Sequence, residues 1–202
     1  MTLSRNSSLQ LTETWMSCPN NVFEFPGLAY IYSLNQLIVA KKLDKLHQLI
    51  EKHDVSYTIY NNLGEKIFIG VQKNQASQFQ IKLYNLYGNE VVQITKYCKC
   101  FLSKVYVWAP AKIFAGSIQH SRFSDKYEVK NCQGEVVFLI KKLYPHDTIY
   151  TVLSGGEEIG VVMKGWGLYD NYVVSFSPNL GVGMKAVMLG ACFLMMQQCC
   201  LK

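Results

Sequence analysis

The sequence predicts a mainly β protein, a closed β-barrel of about twelve strands around a C-terminal hydrophobic α-helix. A strand, turn, strand pattern runs through 57–69, 79–92 and 127–138 with Asn and Gly in each turn; it returns at 150–162, where the Asn is lost and a Gly-rich turn kept. The first and third copies start 70 residues apart (57 and 127) and the second and fourth 71 (79 and 150), as two similar halves would. The chain also closes on its longest uninterrupted apolar run, 186–196, rich in the helix formers Ala, Met and Leu and opposed only by Gly190. A helix apolar all round must be buried. At about 1.5 Å per residue the run covers only about half of the roughly 30 Å hydrocarbon core of a bilayer, so the interior of a barrel is its expected place.

Bulk properties fit one domain. The 202 residues suffice for a single core without staples, and 50% of them are hydrophobic. The net charge of +6 suits acidic surfaces, with anionic lipid headgroups or nucleic acid as the usual partners. Seven cysteines without framework spacing, and no cleavable apolar N-terminus, point to a reducing compartment.

In chain order, residues 1–22 are rich in Ser, Thr and Asn and lack periodicity, which predicts a loosely ordered tail before a domain at 23–202. Phe25-Pro26-Gly27-Leu28 enters that domain through a Pro-Gly turn, and 34–40 reads as its first strand. Leu43, Leu46, Leu49 and Ile50 recur at helical spacing, which predicts a short amphipathic helix. In each hairpin, alternation turns one apolar face inward, and Asn and Gly are expected to accept the positive φ of a tight turn. Strands at 104–108 and 113–118, split by Ala109-Pro110-Ala111, and at 172–176 bring the count near twelve. The helix is expected at 184–201. Met184, Lys185, Val187, Met188, Gly190, Phe193 and Leu194 are its buried or membrane-contacting residues.

The residues with chemistry to offer are few. No GxSxG, P-loop, HExxH or dinucleotide fingerprint is present, which argues against an enzyme. His47, His53, His120 and His146 are scattered without metal-ligand spacing. Cys98-Lys99-Cys100 and Cys199-Cys200 lack C-x-x-C geometry for zinc. Cys98 and Cys100 sit beside Lys96, Lys99 and Lys104 and the apolar Phe101-Leu102, a setting that suits S-acylation. Asp170 and the side-chain oxygen of Asn179 are the candidate metal residues, being oxygen donors of the kind Ca2+ takes. The lysines are spread along the chain, so a nucleic-acid partner is not expected.

The segment 182–194, Val-Gly-Met-Lys-Ala-Val-Met-Leu-Gly-Ala-Cys-Phe-Leu, resembles the C-terminal signature of the phospholipid scramblase family, and Phe25-Pro26-Gly27-Leu28-Ala29-Tyr30 resembles the opening of its domain. The resemblance runs from about 23 to 196. It implies a tubby-like barrel of twelve strands around a central helix, Ca2+-activated and ATP-independent movement of phospholipids between leaflets, and attachment to the cytoplasmic face of the plasma membrane. Its proposed calcium segment corresponds to 168–179, where only Asp170 keeps an acidic position; Leu168 and Asn179 stand where the family has Asp. Of its palmitoylated cysteine run, Cys98 and Cys100 remain. The implied partners are membrane phospholipids, acidic ones above all, and a homo-oligomer is allowed. The rival expectation is an acyl-tethered barrel that binds lipid or protein without translocating anything.

Overall fold

The computed structural model describes residues 11–19, 27–42, 55–75, 78–99, 102–121, 126–144, 148–165 and 171–198. A short helix α1 (Ala29–Tyr32) leads into β1 (Gln36–Lys42), β2 (Val55–Tyr60), β3 (Lys66–Gln75), β4 (Gln78–Tyr84), β5 (Glu90–Lys99) and β6 (Leu102–Trp108). There follow β7 (Phe114–Ser121), β8 (Lys126–Asn131), β9 (Val136–Lys142), β10 (Ile149–Ser154), β11 (Glu157–Lys164), β12 (Asn171–Phe176) and the helix α2 (Val182–Gln198). Each strand pairs with its neighbours in sequence, and β12 returns to β1, closing a twelve-strand barrel with no free edge. All pairings are antiparallel. The repeated hairpins β2–β3 and β8–β9 lie six places apart in this ring of twelve, so the two similar halves of the sequence form opposite walls.

The hairpins turn as expected, by a different division of labour. Glycine alone takes the positive φ, at Gly64 (81°), Gly88 (77°) and Gly134 (87°), and the Asn works through its side chain. Asn61 Oδ1 accepts the amides of Leu63 and Glu65, both at 2.9 Å; Asn85 and Asn131 repeat the motif at 3.0 Å toward Tyr87 and Asn89, and toward Gln133 and Glu135. The oxygen thus satisfies two turn amides that no ladder reaches. The copy without Asn uses two glycines in succession, Gly155 and Gly156, as a two-residue turn.

Several boundaries differ from expectation, most of them by one to three residues. β1 begins at Gln36 rather than Leu34: Asn35 O still accepts the amide of Phe176 opposite it, and the carbonyl of Leu34 is taken by Lys185. α2 begins at Val182, two residues early, and α1 carries no sequence signal of its own. Within the expected tail, Thr12, Thr14 and Met16 exchange backbone hydrogen bonds with Gly64 and Lys66, and Leu11 packs on Ile38, Ala40 and Tyr60. The expected helix around 43–50 lies outside the described residues.

α2 enters the barrel from the end that holds the β2–β3, β4–β5, β6–β7, β8–β9 and β10–β11 hairpin turns and runs to the opposite end, where Gln197 Nε2 donates to Gln72 Oε1 at 2.9 Å. Ala186, Val187, Met188, Leu189, Cys192, Phe193 and Leu194 have no solvent exposure. The helix packs on β5, β6, β7, β12 and α1, and at Gly190 a Cβ would lie 2.6 Å from Val107 Cγ2. No helix among the described residues is long and apolar enough to cross a membrane.

Candidate functional site

The one charged side chain inside the plug is Lys185, in the first turn of α2 and fully buried. Its ammonium shares three N–H donors among four backbone carbonyls, Ile31 O at 3.2 Å, Tyr32 O at 2.5 Å, Leu34 O at 2.8 Å and Pro178 O at 2.9 Å. It also stands 5.6 Å from the centre of the Phe176 ring. These acceptors come from α1, the link into β1 and the turn before α2. One side chain therefore ties the helix to both ends of the chain that close the barrel. Desolvation pulls its pKa below the ordinary lysine value, while converging carbonyl dipoles offset part of the cost of burying a charge.

Among the other helix residues singled out in the sequence, Val187, Met188, Gly190, Phe193 and Leu194 are buried, and Met184 is half-buried. Phe193 meets the Tyr57 ring edge-on at 4.9 Å between centroids. Burial drives the Cys192 thiol strongly upward in pKa, so it behaves as a small core hydrophobe.

The acylation and metal candidates are placed less fully. The backbone of Cys98 pairs with Ser103 near the end of β5, at the end of the barrel opposite the hairpins; its side chain, Cys100 and Asp170 lie outside the described residues. Asn179 is exposed in the turn after β12, whereas Asn171, the first described residue after the segment holding Asp170, starts β12 at the other end of the barrel. Six strand residues at about 3.3 Å each span roughly 20 Å, and a Ca2+ cage has a radius near 2.5 Å. Among the described residues no three His, Cys, Asp or Glu side chains could hold a metal ion together. Of the histidines, His120 stacks on Tyr127 with centroids 4.3 Å apart; His47, His53 and His146 lie outside the described residues.

Two features escape the sequence. The carbonyl cage joins positions more than 150 residues apart, and only a lone lysine in an apolar run hints at it. The other is the convergence of lysines at the end of the barrel opposite the hairpins.

A family model described as Scramblase matches residues 16–198, which takes in every strand and α2. The chain belongs to the scramblase family. It is 23% identical to human phospholipid scramblase 1, over 89% of this chain and 68% of that protein. It is 27% identical to phospholipid scramblase 2 of Bos taurus, over 89% of this chain and 71% of that protein. For human phospholipid scramblase family member 5 the figures are 23%, 84% and 75%. Among solved structures, the X-ray structure of an Arabidopsis thaliana protein superposes with a TM-score of 0.50 at 13% identity, covering 81% of this chain and 94% of that one. That likeness speaks for the fold alone, and the expected tubby-like barrel around a terminal helix is the one observed. At family level the function is phospholipid scramblase-like.

Proposed function

We propose that this scramblase-family protein moves phospholipids between bilayer leaflets in both directions without ATP, by lipid translocation rather than covalent chemistry. The observation that carries the reading is the family match along the whole barrel and its helix, residues 16–198. A charged headgroup crossing hydrocarbon faces a large desolvation barrier, which a protein lowers with a polar path or by thinning the bilayer. A closed barrel with α2 inside offers neither, so activity requires the helix to leave the barrel or several copies to deform the membrane together. In the first case the Lys185 cage is the contact that must open. Attachment to the cytoplasmic face of the plasma membrane is proposed to run through acyl chains on Cys98 and Cys100, since two chains anchor stably where one does not.

The second reading, a tethered barrel that binds lipid or partner proteins without translocation, is favoured by the burial of α2 from Lys185 to Met196. Fluorescent-lipid scrambling in liposomes carrying purified protein separates the two. Wild type and Asp170→Ala are compared with and without Ca2+. Exchange by wild type supports translocation, and its loss in Asp170→Ala only when Ca2+ is present assigns that residue to activation. No exchange from folded, inserted protein refutes translocation and leaves the tethered barrel.

A further inference from the structure

The lysines scattered along the sequence converge at one end of the barrel. Odd-numbered strands run toward the end away from the hairpins and even-numbered strands leave it, so that end collects the last residues of one set and the first of the other. Inward-facing positions there follow a rule. Lys96 lies 5.5 Å from the centre of the Phe79 ring, its partner on β4, and Lys142 lies 5.8 Å from the ring of Tyr150, its partner on β10. Lys41 is paired with Tyr57 and Lys164 with Tyr172 in the same register, and His120 stacks on Tyr127 in the fifth such pair. The aromatic partners are buried against the core, and the cations beside them range from buried Lys96 to exposed Lys142. On the outer face of the same strand ends stand Lys73, Lys104, Lys126 and Lys141.

Acidic residues collect at the other end. Glu65, Glu90, Glu135, Glu157 and Glu158 all flank hairpin turns, and among the described strands Glu128 is the one acidic side chain on the far half. The segments that connect strands at the lysine end hold Asp44, Glu51, Asp54, Asp125, Asp147 and Asp170 against Lys45, Lys52 and Arg122. Counting all of these against the strand-end lysines still leaves a cationic surplus.

We propose that this lysine and aromatic crown is the surface by which the protein sits on a bilayer containing anionic phospholipid, with the acidic hairpin end directed away. Ammonium groups meet the phosphate and carboxylate of the headgroups, and the buried rings beneath them hold the lysine stems at the barrel rim. The backbone of Cys98 lies at the same end, so acyl chains there would enter the membrane that the lysines face. The choice of ligand rests on the lipid reading above; the segregation of charge does not.

The test is co-sedimentation with phosphatidylcholine vesicles with and without phosphatidylserine, at low and high salt. Wild type should bind only the serine-containing vesicles, and less as salt rises. Each surface lysine contributes about five-fold to affinity for an anionic surface, so replacing Lys41, Lys142 and Lys164 together by Gln should weaken binding roughly a hundredfold. The same charge change on the hairpin half, Lys82, Lys112 and Lys130 to Gln, should weaken it by less than about five-fold. Lys142→Gln alone, at an exposed position, should cost about five-fold and keeps the test valid if the triple variant does not fold. Equal losses in the two triple variants, or no preference for phosphatidylserine, would overturn the inference. So would displacement of the protein from vesicles by a single-stranded oligonucleotide at matched charge, which would make the crown a nucleic-acid surface. Scrambling measured on the same vesicles keeps the two claims apart: crown-dependent binding without lipid exchange refutes translocation only, and exchange with crown-independent binding refutes the docking surface only.

Discussion

Replacing Lys185 by Met removes the ammonium and keeps an apolar side chain of similar length in the first turn of α2. Four carbonyls then lose a charged donor, those of Ile31, Tyr32, Leu34 and Pro178. Three N–H donors serve these acceptors, so at about 1 kcal/mol for each hydrogen bond lost the loss is about 3 kcal/mol, and burying the methionine without a charge returns about 1 kcal/mol. The net destabilisation of about 2 kcal/mol corresponds to a Tm lower by about 4–8 °C in a domain of this size. Thermal unfolding followed by circular dichroism gives the Tm. Hydrogen exchange gives the place: amides of α1 and of the turn at 177–181 should lose protection before those of the barrel wall. Lys185→Arg, which keeps the charge but not the shape, should fall between the two. A Tm within about 2 °C of wild type, with unchanged exchange at α1, would show that water satisfies the carbonyls as well as lysine does and that the cage does not hold the helix.

Three further outcomes are expected. Gly190→Ala gains about 1 kcal/mol of helix propensity but sets a Cβ 2.6 Å from Val107 Cγ2, where overpacking costs about 1–3 kcal/mol, so a denaturant midpoint above wild type would refute the close approach. The Tyr30 hydroxyl is buried without a hydrogen bond of good geometry, and burial first, then the neighbouring Cys18 thiol, pushes its pKa up to about 12, above the ordinary value of 10.0. Its stability contribution is therefore fully present below pH 10 and lost as pH rises toward 12; Tyr30→Phe should match or exceed wild type by about 1 kcal/mol at neutral pH and gain further above pH 10, and a wild type whose stability does not fall relative to it in that window would contradict the shift. Cys192 should resist iodoacetamide until the barrel unfolds, whereas Cys18 and Cys132, both exposed, should react in the native state; mass spectrometry showing Cys192 modified as fast as Cys132 would place α2 outside the barrel.

The elements that rest on local chemistry are legible along the chain. An Asn three residues before a Gly, flanked by alternating apolar residues, specifies a hairpin wherever it occurs, because the Asn oxygen and the Gly φ close the turn from within it. Enough such hairpins make a closed barrel, and an apolar run too short to span a membrane has to go inside it. The limits of local reading show at Gly190. In the sequence it only weakens a helix, and in the fold it lets α2 approach Val107. Only the tertiary structure decided what depends on closure. Lys185 finds its acceptors because β1 pairs with β12, which brings residues 31–34 beside the start of α2. The lysines at 41, 96, 142 and 164 have no common period along the chain, and they share one end of the barrel because each lies in the last four residues of an odd-numbered strand of one antiparallel ring. Periodicity reports which face a residue occupies on its own element; which residues from distant elements share an end is set by strand order and register.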